Sequence, residues 1–121
     1  MARTAVPYSN LLPNAALADP AGTALASGAG NGGQIANSFP ELTVLRVSNA
    51  SGGAGTATLL AGALPVAVAA GQGSLTVNVA NGAVQWIGPV ESGRFVQNDG
   101  SLIVETSVAM TVTAFKIPRN T

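Results

Sequence analysis

The chain contains no cysteine and no histidine, and only five basic and five acidic side chains among its 121 residues. Without cysteine there is no disulfide framework, no thiolate metal site and no thiol nucleophile, and the redox compartment is left open. Without histidine the sequence lacks the side chain best suited to proton transfer near neutral pH, which is also the commonest metal ligand. Arg3, Arg46, Arg94, Lys116 and Arg119 form no run. No basic stripe therefore exists to neutralise phosphates, and no nucleic-acid partner is expected. The carboxylates Asp19, Glu41, Glu91, Asp99 and Glu105 are equally scattered. Their spacing assembles neither a general acid–base pair nor a calcium loop, so we expect no enzymatic activity, no metal and no cofactor.

Aromatics are scarce as well: one Trp, one Tyr and three Phe. Carbohydrate sites usually present several, which weighs against Trp86 as a sugar platform. Long apolar runs are also missing. The most hydrophobic stretch, TATLLAGALPVAVAAG (56–71), is broken by Gly62 and Pro65 and falls short of the ~20 residues that span a bilayer. Pro7, Tyr8, Ser9, Asn10 and Pro13 interrupt any leader-like apolar core in the opening residues. The expectation is a soluble, unprocessed chain with no membrane partner.

What remains is neutral and apolar, with formal net charge zero and 47% hydrophobic residues. Disorder usually combines low hydrophobicity with high net charge, and neither holds here. The length fits one domain able to bury its own core. A surface without net charge lacks the repulsion that keeps free proteins apart, and it suits a subunit held against neighbours.

The composition shifts near residue 40. Residues 1–40 are rich in Ala, Gly, Pro and Asn, with Pro7, Pro13, Pro20 and Pro40 leaving no room for a long helix. We read them as an extended N-terminal arm with room to contribute one strand, centred on a flexible loop ASGAGNGGQ (26–34). Residues 41–121 change to short β-forming runs: LTVLRVSN (42–49), TATLLAG (56–62), LPVAVAA (64–70), LTVNV (75–79), AVQWI (83–87), RFVQ (94–97), SLIVETS (101–107) and AMTVTAFKI (109–117). In LTVNV, Leu75, Val77 and Val79 share one face and Thr76 and Asn78 the other. Asn81-Gly82 predicts a type I′ hairpin that pairs 83–87 back onto 75–79. Gly88-Pro89 interrupts the next segment, and Asn98-Asp99-Gly100 predicts a second hairpin turn. Seven or eight strands at this spacing predict an all-β, single antiparallel sandwich, immunoglobulin-like or jelly-roll-like.

Several constellations have bland readings. GAGNGG (28–33) matches a dinucleotide-loop pattern, but neither the preceding strand nor the following helix that a phosphate cradle needs is present. Asn49-Ala50-Ser51 is a glycosylation sequon that reads as an exposed turn. Glu91 and Arg94 have the spacing to pair across the turn after Gly88-Pro89. Glu105 reads as solvated or at a subunit contact. For Trp86 we favour core packing against a sheet face over anchoring an interface, and for Arg94 we favour contact.

Several segments together carry a resemblance. They are Arg-Thr near the N-terminus, Pro-Ala-Gly-Thr (20–23), LTVLRVSN, GQGSLTVNVANGAVQWIGPVESGRFVQNDGSLIVE and a closing VTAFKIPR. The chain resembles a family of small β proteins encoded among the head genes of tailed phages, particularly those of actinobacterial hosts. The likeness covers most of residues 3–119 and is densest over 75–119. It implies a structural virion protein, a capsid decoration (cement) or minor capsid protein on the outer capsid surface. The implied partners are the major capsid protein and further copies of the chain itself, as a trimer. The alternative is a tail, head–tail connector or fibre-associated immunoglobulin-like module that contacts the host surface. No catalytic residue comes with the resemblance. Arg3, Val6, Tyr8, Leu11, Leu12, Trp86 and Arg94 are the candidate subunit contacts, the arm residues among them filling shallow pockets on a neighbour. On this view, removing residues 2–25 spares the β domain.

Overall fold

The computed structural model describes residues 3–62 and 73–118. Within them lie ten strands: β1 (Thr4–Ala5), β2 (Tyr8–Asn10), β3 (Thr23–Leu25), β4 (Gly33–Ile35), β5 (Thr43–Ser48), β6 (Gly55–Leu59), β7 (Leu75–Val79), β8 (Val84–Ile87), β9 (Leu102–Thr106) and β10 (Met110–Lys116). The fold is an all-β sandwich. One sheet runs β1-β4-β9-β6-β7; the other runs β2-β10-β5-β8, with β3 joining β10 beyond the end of β2. The expected strand at 64–70 lies outside the described residues.

Period-two patterning explains the layering. Along β5, Thr43, Leu45 and Val47 are buried while Val44, Arg46 and Ser48 are half-buried on the other face. Leu102, Val104 and Thr106 of β9 and Ala57 and Leu59 of β6 turn in to meet them. Leu75, Val77 and Val79 share the inner face of β7, as their alternation predicted, with Thr76 and Asn78 exposed outside. Each fully buried aliphatic side chain contributes on the order of 1.5–3 kcal/mol.

Residues 3–40 are tied into the sandwich by their strands and do not stand apart from it as an arm. They supply four strands where one was expected, divided between both sheets. Two of them pair in parallel, β1 with β4 and β2 with β10, so the sheets are mixed where a purely antiparallel sandwich was predicted. Val6, Leu25 and Ile35 are 5%, 2% and 1% exposed, sharing one core with Leu102, Val104 and Val112. The glycine-rich stretch makes this possible. A Cβ on Gly33 would come within 2.7 Å of Val6 and 2.9 Å of Leu25, and one on Gly32 within 2.1 Å of the Val104 carbonyl oxygen. These glycines let backbone and side chains close up, a packing role where composition suggested a flexible loop.

One of the two turn predictions fails in an informative way. Asn81-Gly82 does not close a hairpin, because β7 pairs with β6 in one sheet and β8 with β5 in the other. Of the two residues only Gly82 has positive φ (79°). Ala83 N–H donates to the Ala80 carbonyl at 3.0 Å. That is the arrangement of a type II turn, here a corner that carries the chain between sheets. Residues 94–97 form no strand either; Ser92–Phe95 is one helical turn, α1. The Asn98-Asp99-Gly100 turn does form, with Gly100 N–H on the Gln97 carbonyl and Gln97 N–H on the Ser101 carbonyl, both at 2.9 Å.

Candidate functional site

Three places on the molecule gather side chains of interest. The first is the outer face of the β2-β10-β5-β8 sheet. Cross-strand pairing sets Trp86 beside Arg46 and Val84 beside Ser48, all facing away from the core. Trp86 is 60% exposed and Val84 37%. The indole lies against Phe115 of β10 with ring centroids 5.7 Å apart and planes at 25°, and the Arg46 guanidinium stands 6.0 Å from its centroid. Core packing, the favoured reading for Trp86, is thus overturned: its position in the alternation is opposite to that of Ile87, which points in and is buried.

The second is an open cleft of about 630 Å³ at one end of the sandwich, lined by Asn10, Leu11, Leu12, Phe39, Leu42, Lys116 and Pro118. Leu12 is 65% exposed, Phe39 46% and Leu11 36%. The Lys116 ammonium sits 3.9 Å above the Phe39 ring, a cation–π contact. Tyr8 forms its inner support. The phenol shares a 2.7 Å hydrogen bond with the Thr43 hydroxyl and accepts one from Phe39 N–H at 2.8 Å.

The third is a clasp rather than a site. The Glu105 carboxylate accepts from the Arg3 guanidinium and from Gly30 N–H, each at 2.8 Å, and Arg3 also donates to the Asn31 carbonyl. Burial works against the charge on Glu105. The Gly30 N–H and the Arg3 guanidinium outweigh it, so the carboxyl is held below its ordinary range. Asp99 is also held low, first by the Ser101 hydroxyl at 2.6 Å and then by Ser101 N–H at 3.1 Å.

The candidate contacts therefore separate. Leu11, Leu12 and Trp86 are exposed, while Tyr8 is half-buried as a strut. Val6 is buried in the core and cannot be a contact. Arg3 is committed to Glu105, which is neither freely solvated nor at an open contact as first read. Arg94 does not bridge Glu91 through its side chain; its Nε donates to the Gly73 carbonyl at 3.1 Å and its guanidinium covers Phe95 at 4.8 Å. The sequon is not an exposed turn. Asn49 is 1% exposed, and its Nδ2, the atom a glycan would occupy, donates to the Gly53 carbonyl at 2.8 Å and the Val79 carbonyl at 3.0 Å.

Phe39, Arg46 and Lys116 were missed as surface features. Only Phe39, an aromatic in a proline-flanked loop, carried any signal in the sequence. No group of three or more potential metal ligands occurs among the described residues. No helix among them is long and apolar enough to cross a membrane. The chain matches no family model, no curated protein and no solved structure.

Proposed function

We propose that the chain is a structural protein of a tailed-phage virion, a decoration (cement) or minor capsid protein. In this role it binds the outer shell and stabilises it through contacts between subunits, with the major capsid protein and further copies of itself as partners. One observation carries the reading: Trp86 is 60% exposed, braced flat by Phe115 and flanked by Arg46. A rigid, pre-placed aromatic next to an arginine is the composition of an interface hot spot, because little side-chain entropy is lost when a partner covers it. The neutral surface and the resemblance of residues 75–119 to phage head proteins agree with it.

A second reading shares the same observation. The Trp86–Arg46 pair also has the form of a ligand platform, which suits a tail, connector or fibre-associated module that touches the host surface. Copy number in purified particles separates the two. Hundreds of copies scaling with the major capsid protein support decoration, whereas a few to a few dozen support the tail-associated module.

A further inference from the structure

β2 ends its sheet, pairing with β10 and with no other strand among the described residues. Leu11 N–H donates to the Lys116 carbonyl at 3.0 Å. By the alternation of a parallel ladder, Ser9 and Leu11 turn their main-chain groups toward β10, and Tyr8 and Asn10 turn theirs the other way. No backbone group among the described residues meets the outward pair. An open strand edge of this kind is a template for an incoming chain.

The edge runs directly into the apolar cleft. Leu12 and Phe39 stand largely exposed on its walls, and Lys116 is held there by the face of Phe39, with no carboxylate among the described residues paired to it. Apolar walls, outward main-chain groups and one cation without a carboxylate partner among the described residues thus converge on one place. Each asks for a different part of the same ligand.

We propose that the β2 edge and this cleft receive an extended peptide segment from a neighbouring chain, apolar at alternate positions and carrying a carboxylate that meets Lys116. The segment adds a strand beside β2, so that its main chain pairs with Tyr8 and Asn10. Side chains on one face of the strand then cover Leu12 and Phe39. The ammonium selects an acidic segment over a basic one, since like charges brought together at a desolvated contact are strongly disfavoured. The identification of the donor as a neighbouring subunit rests on the virion reading; the chemistry of the groove does not.

The test uses the full chain, isotopically labelled, and two blocked heptapeptides, Leu-Thr-Val-Glu-Val-Thr-Leu and the same peptide with Lys replacing Glu. Saturating amide shifts are expected at Tyr8 to Leu12 and at Lys116, with the Glu peptide bound at least about tenfold more tightly. Lys116→Glu should reverse that preference, and Leu12→Ser should weaken both peptides, each variant keeping a dispersed spectrum. Shifts confined to β8, no saturation at millimolar peptide, or an unchanged preference in Lys116→Glu would overturn the proposal. Failure here is separable from failure of the virion reading. Protein present in hundreds of copies per particle whose β2 edge ignores both peptides leaves the virion role intact and sinks the groove. Peptide binding at the edge without particle association does the reverse.

Discussion

Trp86 and Phe115 stack with their ring centroids 5.7 Å apart although they lie on strands that never pair, β8 and β10, with β5 between them. The indole therefore leans across a whole strand to reach its brace. It stays 60% exposed and leaves the core beneath complete without it. Removing it should cost little stability: Trp86→Ala is expected to stay folded with a loss of no more than about 1–1.5 kcal/mol in denaturant titrations. The same variant should fail to co-sediment with particles. A loss of several kcal/mol would mean that the ring serves the core after all.

Arg3 and Glu105 tie the first strand region to β9, and their pairing should be visible in acid. The folded-state pKa of Glu105 is depressed, so the contribution is fully present above the unfolded-state value. It is lost as pH falls through the lower folded-state value, a window that begins below about 4.3. Glu105→Gln should lower stability at neutral pH by on the order of 1 kcal/mol and flatten its fall in acid. Parallel pH–stability curves for the two proteins would show that the pair contributes nothing.

Asn49 joins three segments. Its Nδ2 holds the Gly53 and Val79 carbonyls, and its Oδ1 accepts from Ser51 N–H at 3.0 Å and the Ser51 hydroxyl at 2.7 Å. Asn49→Ala leaves the buried Val79 carbonyl without its side-chain partner and is expected to cost about 1–3 kcal/mol. Expression through a secretory route should leave the side chain unglycosylated in folded protein, as read by mass spectrometry.

Three strands and two core residues lie between Thr4 and Leu25. A chain lacking residues 2–25 loses β1, β2 and β3 along with Val6 and Leu25, and it should give an undispersed amide spectrum in place of a folded β domain. The milder Leu25→Ala should cost about 2–4 kcal/mol, since the residue is 2% exposed and the void cannot readily collapse. A well-dispersed spectrum from the truncated chain would restore the arm.

Thr113 is 3% exposed on β10, and its hydroxyl oxygen has no hydrogen-bond partner among the described residues. Valine has nearly the same shape without that desolvated group. Thr113→Val should raise the denaturation midpoint by the equivalent of about 1 kcal/mol. An unchanged or lower midpoint would mean that the hydroxyl is satisfied in solution.

Local chemistry was enough to read the all-β class, most strand positions after residue 42 and the inward face of β7, because a two-residue period and β-branched runs are written residue by residue. Which strands meet is a different kind of fact. Asn81-Gly82 specifies a tight turn and nothing about its flanks; that β7 and β8 belong to opposite sheets depends on β5 and β6 claiming them first. The glycines at 32 and 33 read as looseness until Val104, Val6 and Leu25 were found pressed against them. Trp86, Arg3, Val6 and Asn49 were misread for one shared reason. Exposure is a property of what folds over a residue, and the covering segments here lie tens of positions away in the chain.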